Sequence, residues 1–493
     1  MKRTILHAAL VLALSLAAMA PMFPAQTPAG APSFPDTPAG RRLAAWLPVL
    51  NGGDAAAIEK FVKENFAARA LQQAPADERA EVHKRFFAQT GGLKVTAVRD
   101  LGANEIEVRA QAIKSGEWFR IGLRTEPEAP NGILGFRFEE AAPPESAASQ
   151  TFGKVAEAEI PKAVGDYVGK LATEDRFSGS VLVAKNGAAI FSKAYGKSSA
   201  QTGAANALDT KFNLGSMNKM FTAVSIGQLV DQGKLSFDDK VGKYLPDFPN
   251  PDVRNKVAIH HLLTHTSGLG SYFGDPGFDE GGPKIRTVND YMAFVKTEQP
   301  AFEPGDRFQY SNSGFIVLGA IIEKITGQSY YDYVRDHVFK AAGMNNSACY
   351  AIDEKVANLA VGYIGSIGRR TPNTDTLPGR GGPAGGGYST AEDLLKFERA
   401  LRDNKLVTVK TRDILLAGKV SMGGPNAKYA YGFGDLNYAG HRMVGHNGGA
   451  PGINSELQMF WDEGYTIIVM ANYDRGATPV ANNIRTMIFG AAR

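Results

Sequence analysis

At 493 residues the chain is too long for one ordinary core, so two domains are the first expectation. Its 44% hydrophobic and 21% charged residues are those of a folded globular protein and exclude long disordered stretches. A net charge of +4 without any basic tract excludes nucleic acid as a partner, and a single cysteine, Cys349, excludes an intramolecular disulfide.

The chain opens on a basic pair, Lys2 and Arg3, followed by an apolar run from Ile5 to Ala18 and small residues at Ala18-Met19-Ala20. Residues 1–25 read as a secretory signal peptide, which predicts an exported protein, periplasmic or secreted. The apolar run falls short of the ~20 residues of a spanning helix, and no later segment reaches that length. No stable membrane span is therefore expected once the leader is removed. Residues from Pro21 to about Gly40 are rich in Pro, Ala and Gly and read as a tether. Helical patterns over 55–68 and 77–89 follow, then alternating strand patterns at 93–98, 105–112, 118–124 and 133–138. Helices before antiparallel strands make residues 26–140 a small α+β accessory domain. Its element order loosely resembles the nuclear-transport-factor-like fold. Residues 141–152, rich in Ala, Pro and Ser, read as a linker to a second domain at 153–493.

That second domain begins with a helical pattern over 153–173. Two apolar runs follow, joined by Asn186-Gly187, the strongest short hairpin signal. Three strand patterns at 443–447, 456–460 and 465–471 and a helix over 479–489 close the chain. Strands at both ends around a helical middle imply a sheet assembled from distant segments.

Three short motifs carry chemistry. In Ser216-Met217-Asn218-Lys219 the serine stands at a helix start, where the helix dipole favours a developing anion. Residues three apart share a helical face, so the Lys219 amine can meet the Ser216 hydroxyl, which needs a base to become a nucleophile. In Tyr310-Ser311-Asn312 a nearby ammonium favours the phenolate, and Asn312 offers a donor and an acceptor to a substrate amide. In His446-Asn447-Gly448-Gly449 the glycines allow close approach of a substrate backbone. The Gly449 N–H, with that of Ser216, would make an oxyanion hole. Each motif alone also fits a bland reading: a solvated helix start, a buried tyrosine in a turn, a common glycine turn.

Together and in this order they resemble the class C β-lactamase and penicillin-binding serine hydrolase family. The likeness extends through Leu262-Leu263-Thr264-His265-Thr266-Ser267-Gly268-Leu269, Glu303-Pro304-Gly305 and Gly385-Gly386-Gly387-Tyr388-Ser389-Thr390, over roughly residues 155–490 and not over the first domain. It implies a β-lactamase/transpeptidase-like α+β fold, an antiparallel sheet flanked by helices. It also implies Ser216 as nucleophile, Lys219 and Tyr310 as the base system, and Asn312, His446, Gly448 and Gly449 as substrate-binding residues. No metal or organic cofactor is implied. The partner is a small-molecule or peptide acyl substrate, cleaved by an esterase or a D-amino-acid peptidase or amidase of the D-alanyl-D-alanine carboxypeptidase kind. A neutral imidazole at His446, where relatives place an ammonium, counts against a dedicated β-lactamase, which stays as an alternative beside an inactive scaffold. The oligomeric state is left open. His261 and His265, four apart, lack the third ligand of a zinc site, and neither G-x-S-x-G nor a P-loop occurs.

Overall fold

The computed structural model describes residues 33–491 apart from 115, 117, 142–151, 274, 366 and 425. The predicted signal peptide, and the predicted linker except for Ala141 and Phe152, lie outside the described residues. Two compact units form, one before residue 152 and one from Phe152 onward. Among the described residues no helix is long and apolar enough to cross a membrane.

The first unit runs α1 (Pro38–Gly52), α2 (Ala55–Asn65), α3 (Ala68–Gln73) and α4 (Ala76–Thr90), then β1 (Leu93–Asp100), β2 (Glu105–Ala112), β3 (Trp118–Thr125) and β4 (Ile133–Ala141). The strands form one antiparallel sheet in chain order. Helix α1 starts inside the stretch that reads as a tether. Thr37 caps it by accepting from Gly40 N, and Leu43, Trp46 and Leu50 recur at helical spacing and are buried. Pro38, Gly40 and Pro48 hide that stripe from a propensity reading.

His83 of α4 lies in this core, 3% exposed, among the rings of Trp46, Phe66, Phe136 and Phe138. Trp46 Nε1 donates to its Nδ1 at 3.3 Å, and burial lowers its pKa from 6.5 to about 4. The unfolded chain therefore binds this proton first on acidification. The contribution to stability is complete above pH 6.5 and is lost as the pH falls from there towards 4. At pH 5 the loss amounts to about 2 kcal/mol. We expect His83→Gln, which does not titrate, to flatten the dependence of melting temperature on pH between 7 and 5 relative to the parent chain. Equal slopes would show that His83 is not the titrating group.

The second unit is built on an antiparallel sheet whose strands come from both ends of the chain. They are β5 (Gly179–Lys185), β6 (Ala188–Tyr195), β7 (Val420–Gly424), β8 (Ala427–Tyr429), β9 (Gly434–Tyr438), β10 (His441–Ala450), β11 (Ile453–Phe460) and β12 (Tyr465–Ala471). Among the described residues their order is β7-β8-β9-β10-β11-β12-β5-β6. Asn186 and Gly187 turn the β5–β6 hairpin with φ of 50° and 76°, the left-handed pair a tight hairpin needs. β12 then pairs with β5, Ile468 opposite Leu182, and closes the two chain ends into one sheet.

Side-chain alternation sends the two faces of this sheet to different partners. Val181, Val183, Ile467 and Val469 pack with Val164 and Val168 of α5 (Ile160–Thr173) and with Val480 and Ile484 of the C-terminal helix Ala477–Phe489. Leu182, Ala184, Ile468 and Met470 join the larger core around α6 (Asn218–Asp231) and α7 (Asn312–Thr326). Helix α6 is buried on every side from Asn218 to Leu229. It is a central helix, and each polar side chain on it must find its partner inside the protein.

Candidate active site

Ser216 sits in a single 3-10 turn, Gly215–Met217, that leads into α6. Gly215 holds φ at +51°, and a Cβ there would stand 2.9 Å from Gly449 N. The nucleophile turn and the β10 backbone are thus in contact. Ser216 is 8% exposed and Lys219 fully buried.

The Lys219 amine has three polar neighbours: Asn312 Oδ1 at 2.8 Å, Ala384 O at 2.6 Å and Ser216 Oγ at 3.3 Å. Its Nζ also lies 4.8 Å from the centre of the Tyr310 ring. Burial drives its pKa well below the ordinary lysine value, and among the described residues no carboxylate counter-charge opposes the shift. A neutral amine carries two N–H groups and one lone pair. The two short contacts to oxygens without protons take the N–H groups, and the lone pair is left for the Ser216 hydroxyl.

Tyr310 lies next to Lys219, its ring centre 4.8 Å from Nζ. Burial pushes the phenol above its ordinary range, and the nearby Ser216 side chain only partly offsets this. Burial therefore works against the phenolate expected from the motif. Between them, Ser311 caps α7, accepting from Gly314 N at 3.0 Å and donating to Gly270 O at 2.9 Å. Asn312 donates through Nδ2 to Ser271 Oγ at 3.1 Å while its Oδ1 faces Lys219, so both ends of the amide are engaged inside the chain.

The glycine-rich stretch after residue 380 lies along α6. Asn218 donates to Gly382 O at 3.2 Å and accepts from Gly387 N at 3.2 Å, while Thr222 donates to Pro383 O at 2.8 Å. These bonds fix the Ala384 carbonyl where it meets Lys219. Cys349 Sγ accepts from Asn218 Nδ2 at 3.4 Å, and burial lifts its thiol to about 11, an inert group.

On β10, His446 donates from Nδ1 to Asn447 O at 2.5 Å and accepts at Nε2 from the Tyr429 hydroxyl at 2.9 Å. Burial lowers its pKa to about 3, so the ring is neutral. Gly448 is a glycine for a reason other than substrate approach: a Cβ there would fall 1.8 Å from Leu214 O. That same carbonyl accepts from Ser455 Oγ at 2.8 Å, which ties β11 to the turn before Ser216.

The structure thus brings Ser216, Lys219, Tyr310, Asn312, His446, Gly448 and Gly449 to one place. Sequence reasoning missed Ala384, Ser271 and Tyr429. A backbone carbonyl leaves no signature, and the other two lie outside any motif. His261 and His265 do not converge on a metal position: each accepts a backbone N–H at Nδ1, from Ala258 at 3.1 Å and from Ser311 at 3.0 Å.

A family model described as beta-lactamase matches residues 164–491, leaving the first unit uncovered. The chain is 30% identical over 317 residues to penicillin-binding protein 4* of Bacillus subtilis, 61% of this chain and 69% of that one. Its structure is similar to that of a penicillin-binding protein from Bacillus halodurans, at TM-score 0.59 and 33% identity, covering 65% of this chain and 97% of that one. A D-stereospecific amidohydrolase from Streptomyces gives TM-score 0.57 and 26% identity over 68% of this chain and all of that one.

Gly448→Ala should displace the Leu214 carbonyl, lowering the melting temperature by several degrees and turnover of acyl substrates by about tenfold or more, as a steric clash in a packed core does. Gly424→Ala, which meets nothing within 4 Å, is the control. Parallel assays of the two variants check this, and equal behaviour would refute the packing role.

Proposed function

This chain belongs to the beta-lactamase family, and we propose that it is an exported serine hydrolase that cleaves an ester or amide through an acyl-enzyme on Ser216. One observation carries the reading: a buried amine with no counter-charge, whose two short contacts leave its lone pair for the serine hydroxyl.

In this reading Lys219 Nζ takes the Ser216 proton as Oγ bonds to the acyl carbon. The N–H groups of Ser216 and Gly449 receive the oxyanion, each such donor worth roughly 3 kcal/mol. The Tyr310 hydroxyl gives its proton to the leaving alcohol or amine and takes one back from the Lys219 ammonium, which restores the neutral pair. Water then attacks the acyl-enzyme, its proton passing to the same pair; the Oγ–acyl bond breaks, Ser216 Oγ takes that proton back, and the acid leaves. Export rests on the leader pattern in the sequence.

His446 points to the substrate class. A neutral imidazole with both nitrogens engaged offers no fixed cation for a carboxylate. An ester, or an amide without a free carboxylate beside the scissile bond, suits such a site better than a β-lactam or a peptide ending in D-Ala-D-Ala. A panel of p-nitrophenyl esters, D-amino-acid amides, D-Ala-D-Ala peptides and a chromogenic cephalosporin, ranked by kcat/KM, should place the first two ahead. A cephalosporin ranked first would overturn this preference.

Ser216→Ala and Lys219→Ala should each cost at least about 10³-fold in kcat/KM, and Lys219→Arg should rescue nothing because a guanidinium stays protonated. A fluorophosphonate should add covalently to the parent chain and not to Ser216→Ala. The sign of the pH dependence follows from the lowered amine pKa: kcat/KM rises with pH as Lys219 loses its proton and levels off well below pH 10.5. A limb still rising through pH 10 would contradict the neutral-amine base.

A further inference from the structure

His265 does nothing in the scheme above, yet it is 0% exposed and holds the left-handed φ of +59° that residues other than glycine rarely adopt. Its backbone carbonyl accepts from Gln309 N at 2.8 Å, and its ring Nδ1 accepts from Ser311 N at 3.0 Å. The two peptide groups it holds are the neighbours of Tyr310 on either side. Its ring also packs on the Tyr310 ring itself, centroids 4.2 Å apart, and on those of Tyr429 at 4.5 Å and Phe315 at 5.2 Å. One residue therefore grips the proton carrier at three points: the preceding backbone, the following backbone and the ring.

We infer that His265 is a positioning residue for Tyr310, setting the distance of the phenol hydroxyl from Ser216. The inference rests on the role given to Tyr310 above.

Two further facts define how it works. Because Nδ1 accepts a backbone N–H, the ring proton belongs on Nε2, which has no hydrogen-bond partner among the described residues. The ring must stay neutral to keep that bond, and burial beside Lys219 and His446 holds its pKa well below the ordinary value. These are the charged and titratable groups facing it, together with the phenols of Tyr310 and Tyr429 in ring contact. The left-handed backbone supplies the second requirement. Asparagine tolerates that conformation and carries an acceptor at the position of Nδ1, whereas phenylalanine keeps the ring and loses both.

The test is a double-mutant cycle on a p-nitrophenyl ester, with melting temperature as a folding control. Misplacing a reacting group by about 1 Å can cost 10²-fold, so His265→Phe should lower kcat by about 30- to 100-fold and change KM less than about threefold. His265→Asn should restore kcat to within about fivefold of the parent chain, through the acceptor it retains. In a Tyr310→Phe background, His265→Phe should change kcat by less than about twofold, since the group it positions is gone. If His265→Phe melts several degrees lower, His265→Gln takes its place, because its acceptor lies one bond too far out.

An equal loss in both backgrounds would overturn the inference, as would His265→Asn falling as low as His265→Phe. Tyr310→Phe with unchanged kcat would instead overturn the reading of Tyr310, and the inference with it.

Discussion

The architecture of the second unit turns on the burial of one lysine. An ammonium withdrawn from water with only neutral acceptors around it costs several kcal/mol, and losing its proton is the way out. Lys219 is in that position, with an amide oxygen and a carbonyl oxygen at short range and a hydroxyl slightly further away. Burial thereby favours the unprotonated amine and leaves a free lone pair at the one atom that needs a base. Every other feature of the site either keeps water and counter-charge away from this amine or fixes the groups that share its proton.

Keeping it there requires segments far apart in the chain. Helix α6 supplies Lys219, but its other inward polar residues, Asn218 and Thr222, secure the glycine-rich stretch that brings Ala384 O to the amine. The cap at Ser311 sets α7 so that Asn312 reaches Lys219 from the first turn. From the sheet side, Gly448 and Ser455 close on Leu214, the residue before the nucleophile turn. The all-buried character of α6 follows from the same need. A helix exposed on one face would admit water to Lys219 and return it to an ordinary ammonium.

Much of this was legible in the sequence, and the reasons differ by element. The β5–β6 hairpin could be read because Asn186-Gly187 admits few other backbones, and β12 because Ile467 to Ala471 is an unbroken apolar run. Ser216, Lys219, Tyr310 and Asn312 could be singled out because their spacings in short motifs let such side chains meet. Strands β7 to β9, at one end of the sheet, were missed: they are only three to five residues long, and pairing with neighbours makes them strands. Helix α1 was hidden by Pro38, Gly40 and Pro48, whose local preferences lose to the burial of Leu43, Trp46 and Leu50. The packing of Gly448 against Leu214 O was not foreseen, since a glycine looks the same in sequence whether it makes room for a ligand or for a neighbouring carbonyl. Which of Lys219 and Tyr310 holds the proton could not be read either, because that depends on burial, a property of the folded chain.

That proton is also where the account can be tested most directly. Selective 15N labelling of lysine, with the Lys219 signal assigned by its loss in Lys219→Ala, reports the charge of the side-chain nitrogen as pH is varied. The account predicts the shift of a neutral amine at pH 8, with an ammonium appearing only on acidification. An ammonium that persists at Lys219 to pH 10 would contradict it.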